Sequence, residues 1–327
     1  MTEYLLGVDG GTTKTIALVA DGAGHILGAA RGGNSNWIGE DISRPIAVIT
    51  GTVRAALAMA GVPPEDAAVG VFGLAGADWP EDYARRQAAL EAAGVARHVI
   101  VRNDAIAGWR AGTQQTFGVV IAAGTGSNTC VLAPDGSEWC YGYYVFYGGA
   151  ADIAREALHA VLRAEDGRGH PTTLTGLVLR KLDYPTPEAL LKGWIAGEID
   201  HAALLALCPL TFEAADAGDE VGAGIIVKQG NALAEYATAA IRRFEMQTLA
   251  FDVVLAGSVF KGRGPLLIDT ITQAIHCVAP RVTIVRAALE PAVGALLLAY
   301  DALGIEVTEA LVAALRRTMP DPTLFAT

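Results

Sequence analysis

An apolar run, Tyr4-Leu-Leu-Gly-Val, ends in Asp9-Gly10-Gly11-Thr12-Thr13-Lys14-Thr15, and the chain leaves as a second apolar run, Ile16 to Val19. This junction constrains the fold more than any other feature of the chain. Glycine has no Cβ, so backbone amides there come close to a bulky anion. The hydroxyls of Thr12 and Thr13 add donors, and Lys14 adds positive charge, although Lys14 reads equally as a solvated lysine at a strand edge. Asp9 is a carboxylate at the end of an apolar strand, which folding alone explains poorly. It suits a hydrated metal ion carried on phosphate oxygens.

The junction recurs. Phe117-Gly-Val-Val-Ile-Ala-Ala runs into Gly124-Thr125-Gly126-Ser127-Asn128 and then Thr129-Cys-Val-Leu, so that Gly11 meets Gly124 and Thr12 meets Thr125. Each copy is followed by a turn, Asp21-Gly22 in the first and Asp135-Gly136 in the second, as expected between hairpin strands. One Gly-rich turn is weak, since any tight hairpin has one. Two in equivalent places predict a duplicated α/β fold whose halves face a shared cleft with a phosphate loop each. Apolar patterning places strands at 4–9, 15–20, 25–31, 68–74 and 98–102, then at 117–122, 128–133, 138–143, 253–256 and 282–285. Helices are predicted at 43–61, 80–93, from 104, 149–165, 219–247, 265–278, 291–302 and 306–318, with a helical insertion over 172–218. The division between halves falls in Thr113-Gln-Gln-Thr116, giving units 1–115 and 116–327.

The chain has 327 residues, 52% of them hydrophobic, enough for two cores. A net charge of −11 with scattered Lys and Arg speaks against a nucleic-acid partner. No apolar run reaches the ~18 residues of a membrane span, and with no basic n-region followed by an apolar h-region at the start, a secretory signal is not expected. Cys130, Cys140, Cys208 and Cys277 have no CxxC spacing, so a reduced cytoplasmic protein without zinc is expected.

Asp104 is the leading catalytic candidate. It follows the apolar strand Val99-Ile-Val-Arg-Asn at a helix start, where doubly wound folds place ligands. A carboxylate there can take a proton from an attacking hydroxyl, or simply cap the helix. Asn36 and Trp37 lie in a polar, Gly-rich segment suited to sugar hydroxyls and a ring face, or to ordinary loop turns. Gly257-Ser258 ends a strand where a flat base could lie against backbone, or where the chain merely turns into a helix.

These residues jointly resemble the N-acetylglucosamine kinase and BadF-type ATPase family of the actin-like ATPase superfamily. The resemblance rests on Asp9-Gly-Gly-Thr-Thr-Lys-Thr, Leu74-Ala-Gly-Ala-Asp78-Trp-Pro, Asn103-Asp104, Gly124-Thr-Gly-Ser-Asn, Ala217-Gly218-Asp219, Gly257-Ser-Val-Phe-Lys and Glu290-Pro-Ala-Val-Gly. It implies two ribonuclease-H-like domains with ATP and magnesium (Mg2+) in the cleft between them, and a homodimer. Gly11, Thr12, Thr13, Lys14, Thr125, Gly126, Gly218, Gly257 and Ser258 would meet ATP, and Asp9 the metal. Asn36, Asp104, Ser127 and Asn128 would meet an amino sugar or related sugar, phosphorylated with Asp104 as general base. The sequence departs from the family in one place. Where relatives carry Gly-Asp-Glu-Gly-Ser soon after the second loop, this chain has Tyr141-Gly-Tyr-Tyr-Val-Phe-Tyr-Gly-Gly-Ala-Ala-Asp152, with aromatic residues and Asp152 alone. Two other functions stand beside the kinase: a BadF-type ATPase that drives a partner protein, which needs cluster-binding cysteines, and a non-catalytic sugar sensor. A repressor-related sugar kinase is disfavoured by the missing zinc-binding cysteines.

Overall fold

A computed structural model describes residues 3–37, 41–145, 147–262 and 264–326. Its first sheet contains β1 (Tyr4–Gly10), β2 (Thr15–Asp21), β3 (Ile26–Gly32), β4 (Ala67–Leu74) and β5 (His98–Asn103), in the order β3-β2-β1-β4-β5. Its second contains β6 (Gly118–Ala123), β7 (Ser127–Leu132), β8 (Glu138–Cys140), β9 (Asp252–Ala256) and β10 (Thr283–Arg286), in the order β10-β9-β6-β7-β8. β1 is antiparallel to β2 and parallel to β4, and β6 is antiparallel to β7 and parallel to β9. Order and direction thus repeat strand for strand, and the protein is a duplicated α/β fold. All eight residues of β4 are buried, as befits a parallel strand covered by helices on both faces.

Helices α1 (Ser43–Ala60), α2 (Pro80–Ala92) and α3 (Asp104–Arg110) belong to the first half of the chain. The second half contributes α4 (Ala150–Glu165), α5 (Leu174–Leu182), α6 (Pro187–Ala196), α7 (His201–Leu205), α8 (Cys208–Asp216), α9 (Glu220–Arg243), α10 (Leu266–His276), α11 (Pro291–Ala302) and α12 (Glu309–Arg317). α1 stops at Gly61, whose φ of 67° costs least without a Cβ. The insertion resolves into α5 to α8. Leu174, Val178, Leu190, Leu204 and Phe212 from these helices join the core built on β6, β9, α4 and α9.

The halves exchange helices. Ala105, Ile106 and Trp109 of α3 pack with Val120, Cys130 and Val254 of the second sheet. In return, Val293, Leu296, Leu297 and Tyr300 of α11 pack with Leu5, Ile16, Leu18 and Val71 of the first sheet. Leu311 and Leu315 of α12 join that same core, together with Phe325.

Two expectations are corrected. The strand expected over 138–143 ends at Cys140, because the Gly142 amide donates to the Asn128 side chain (3.0 Å) and 142–144 turns into a 3-10 helix. The four thiols are not all free either. Cys130 and Cys140 are paired in the β7–β8 register, 4.0 Å apart at Cα, and are joined in a disulfide. Cys208 is buried and Cys277 exposed. No helix among the described residues is long and apolar enough to cross a membrane.

Candidate functional site

The parallel strands β1, β4 and β5 end side by side, with Gly10 opposite Leu74 and Leu74 opposite Asn103. Asp9, Asp78 and Asn103-Asp104 therefore gather at one sheet edge, where open α/β sheets bind ligands. Gly73 lets α3 start there: a Cβ on it would stand 2.8 Å from that of Ala107. The helix cap is Asn103, whose Oδ1 accepts from the Ala105 amide at 2.9 Å, and Asp104 is the first helical residue. Capping, the alternative role for Asp104, thus falls to its neighbour.

Burial and the nearby Asp78 charge push the Asp104 carboxyl up to about 6, against hydrogen bonding and Arg86. Asp9 rises to about 7, through burial first and then the charges of Asp104 and Glu290, opposed by Lys14. Negative charge is therefore in excess here, which favours a cation or a proton. Burial lowers the Lys14 ammonium, which donates to the Phe325 carbonyl in the C-terminal segment. Lys14 thus ties the first loop to the chain end and is half-buried there.

The first loop is a tight turn, its Gly11 amide donating to Lys14 O at 2.9 Å, with Thr12 and Thr13 exposed. The second is closed by Gly124 N to Gly126 O at 2.8 Å. It sits against the start of α4, where the amides of Ala150 and Ala151 donate to the carbonyls of Gly124 (2.8 Å) and Thr125 (3.0 Å). That approach requires Gly149, at φ 95°, because a Cβ there would meet Gly126 backbone at 2.6 Å. Asp152 accepts from the Gly148 amide (2.9 Å) and pairs with Arg155 (2.8 Å). The acidic residue left in the altered stretch is therefore engaged by α4. Phe146 of that stretch lies outside the described residues.

Among the residues expected to meet a sugar and their neighbours, three polar atoms are buried without a hydrogen-bond partner: Asn36 Oδ1, Trp37 Nε1 and Ser127 Oγ. Each such atom costs roughly 1–3 kcal/mol unless something satisfies it, so each suits a ligand or water. Trp37 does not offer an open ring face. It is 5% exposed, with the guanidinium groups of Arg85 and Arg86 within 4.6 and 5.1 Å of its ring. Asn128 bridges the halves: its Nδ2 donates to Asp78 Oδ1 (3.1 Å) and Asn103 Oδ1 (3.3 Å). Asp78 was not singled out as a site residue from the sequence. Its signal is positional, a carboxylate soon after an apolar strand, as Asp104 is.

On the opposite side, Gly257 has a φ of 106°, and a Cβ there would overlap the Ala123 carbonyl, so the end of β9 lies flush with the end of β6 beside the second loop. Ser258 is exposed. Gly218, at φ 87°, has open space around it in the α8–α9 turn. Gly264 approaches Asp216 at the end of α8, so this turn and the segment after Gly257 adjoin. Among the described residues no three His, Cys, Asp or Glu side chains gather around an ion.

The sequence profile of the BadF/BadG/BcrA/BcrD ATPase family matches residues 6–299. An N-acetyl-D-glucosamine kinase of Dictyostelium discoideum is 29% identical over 316 residues, covering 91% of this chain and 98% of that one. An N-acetylmuramic acid/N-acetylglucosamine kinase of Clostridium acetobutylicum is 25% identical over 301 residues, with coverage of 91% and 98%. The crystal structure of a ROK family glucokinase from Streptomyces griseus, in complex with glucose and AMPPNP, superposes with a TM-score of 0.57 at 19% identity. It covers 91% of this chain and 99% of that one, a likeness of fold.

Proposed function

The chain belongs to the BadF/BadG/BcrA/BcrD ATPase family, and from that premise we propose that it transfers the γ-phosphoryl group of ATP to an amino sugar or related sugar, as an N-acetylglucosamine kinase does. What supports the reading is Asp104, free of the capping role at the shared strand-end edge, together with Asn128 bridging to the same edge and the buried, unpartnered Asn36 Oδ1 and Ser127 Oγ. Asp104 takes the proton of the sugar hydroxyl as it attacks. Asn36, Ser127 and Asn128 orient the sugar. Gly11, Thr12, Thr13, Lys14, Thr125 and Gly126 hold the phosphates, and Gly218, Gly257 and Ser258 border the adenosine. Asp9 would hold Mg2+, which neutralises charge on the phosphates. Units 1–115 and 116–327 supply one loop each, and the exchanged helices couple them. A cytoplasmic homodimer is the expected setting. An activator of a partner protein is less well supported, since Cys130 and Cys140 are paired and Cys208 is buried.

Release of ADP in the presence of candidate sugars tests the reading. N-acetylglucosamine or a related amino sugar should raise it well above the water background. If no sugar does so, the kinase reading fails.

The pH dependence follows from Asp104. A general base acts only when deprotonated, and this one is raised to about 6. The ratio kcat/KM should therefore climb as pH increases through about 6 and level above it. A profile already flat from pH 4.5 upward would remove Asp104 as the base.

A further inference from the structure

Asp78 is half-buried just past the end of β4, and one of its oxygens collects two amides. Asn103 Nδ2 donates to Oδ1 at 2.8 Å, and Asn128 Nδ2 donates to the same atom at 3.1 Å. Asn103 comes from the first sheet and caps the helix that begins with Asp104. Asn128 comes from the second sheet, and its own oxygen accepts from the amides of Thr129 (2.8 Å) and Gly142 (3.0 Å). Gly142, at φ 52°, is packed so closely that a Cβ on it would stand 2.5 Å from the Asp78 Cβ. A single carboxylate oxygen thus joins the ends of β4 and β5, the start of β7 and the turn after β8.

Amide side chains are two-faced, and what fixes their orientation is the partner each end finds. Both Asn103 and Asn128 turn their NH2 groups toward Asp78, and that of Asn103 also donates to the Ala77 carbonyl at 2.9 Å. Asn103 then has its oxygen free to cap α3, and Asn128 has its oxygen free to hold the 140–142 turn. Charge-assisted hydrogen bonds of this kind are about twice as strong as neutral ones. Without the carboxylate, Asn103 keeps Ala77 and Ala105 and Asn128 keeps Thr129 and Gly142, but the bridge between the two sheets is lost, and with it the common reference of the sugar-side groups.

Resting on the kinase reading above, we propose that Asp78 is a positioning residue for the sugar: it ties Asn128 of the second sheet to the Asn103 cap beneath Asp104, and so determines sugar affinity rather than nucleotide affinity.

Asp78→Ala, Asp78→Asn and Asn128→Ala are compared with the wild-type protein by steady-state kinetics on N-acetylglucosamine and by calorimetry with the same sugar and with an ATP analogue. Thermal melts confirm that the variants fold. Asp78→Ala should raise the sugar KM and Kd about tenfold or more, with nucleotide affinity unchanged. Asp78→Asn retains an oxygen able to accept both amides, should recover most of the loss, and covers the case in which the alanine variant does not fold. The Asp78→Ala, Asn128→Ala double variant should bind sugar no worse than the weaker single variant, because both remove the same bridge. The inference is overturned by unchanged sugar affinity in Asp78→Ala, by equal losses for sugar and nucleotide, by an asparagine variant as weak as the alanine one, or by additive effects in the double variant. The kinase reading fails separately: a wild-type protein that binds the sugar but does not phosphorylate it defeats that reading, while the ratio of sugar affinities still decides Asp78. A wild-type protein that binds no sugar defeats both.

Discussion

Asp104→Ala is expected to lower kcat for sugar phosphorylation by about 100- to 10,000-fold, the usual worth of a positioned base, while ATP-analogue binding stays within about twofold of wild type. The first half of this expectation rests on position. Asp104 is the opening residue of α3 at the edge shared by β1, β4 and β5, and Asn103 does the capping. The second half rests on separation of duties: the phosphate loops close through their own backbone, Gly11 to Lys14 and Gly124 to Gly126, without Asp104. The substitution also removes one of the negative charges around Asp9, so binding of the anionic nucleotide should if anything tighten slightly. Asp104→Asn keeps the shape and separates proton transfer from packing. Full activity in either variant would sink the mechanism; loss of nucleotide binding together with activity would mean that the change had damaged the cleft and not the base.

Much of the fold could be read from the chain because its signals are local. The apolar runs around Leu5, Ile16 and Leu18, the Asp-Gly turns and the stop at Gly61 each act within a few residues. The repeat of the first loop at Gly124 then implied the duplication that the strand order bears out. What remained hidden depends on contacts between distant segments. Nothing near Lys14 signals that its ammonium meets Phe325. Nothing near Cys130 signals Cys140, whose pairing comes from the β7–β8 register. Asp78 sits in a segment that looked like a helix approach, and its role appears only when the second sheet brings Asn128 to it. Trp37 looked open in a polar loop and is covered by arginines from α2.

The exchanged helices make the second large expectation, on stability. α3 and α11 cross at Gly294, where a Cβ would overlap the carbonyl oxygen of Ala107 and come within 2.9 Å of the Ala111 amide. Those are backbone atoms, which cannot swing aside as a flexible side chain can. Gly294→Val must therefore push the helices apart, and both are anchored in opposite sheets, α3 through Trp109 and α11 through Leu296 and Tyr300. Overpacking of this kind costs about 3 kcal/mol. At roughly 2–4 °C per kcal/mol for a protein of this size, the melting temperature should fall by several degrees. Activity should fall with it, because moving α3 moves Asp104 at its first position. The contrast is Gly51→Ala in the exposed face of α1, where an added Cβ meets nothing within 4 Å. Relief of glycine's backbone entropy there should stabilise by about 0.5–1 kcal/mol. Thermal melts of the two variants decide the matter: a valine at 294 that leaves the melting temperature unchanged would mean that the two helices are not locked at this crossing, and that the halves of the protein are joined by something other than their exchanged helices.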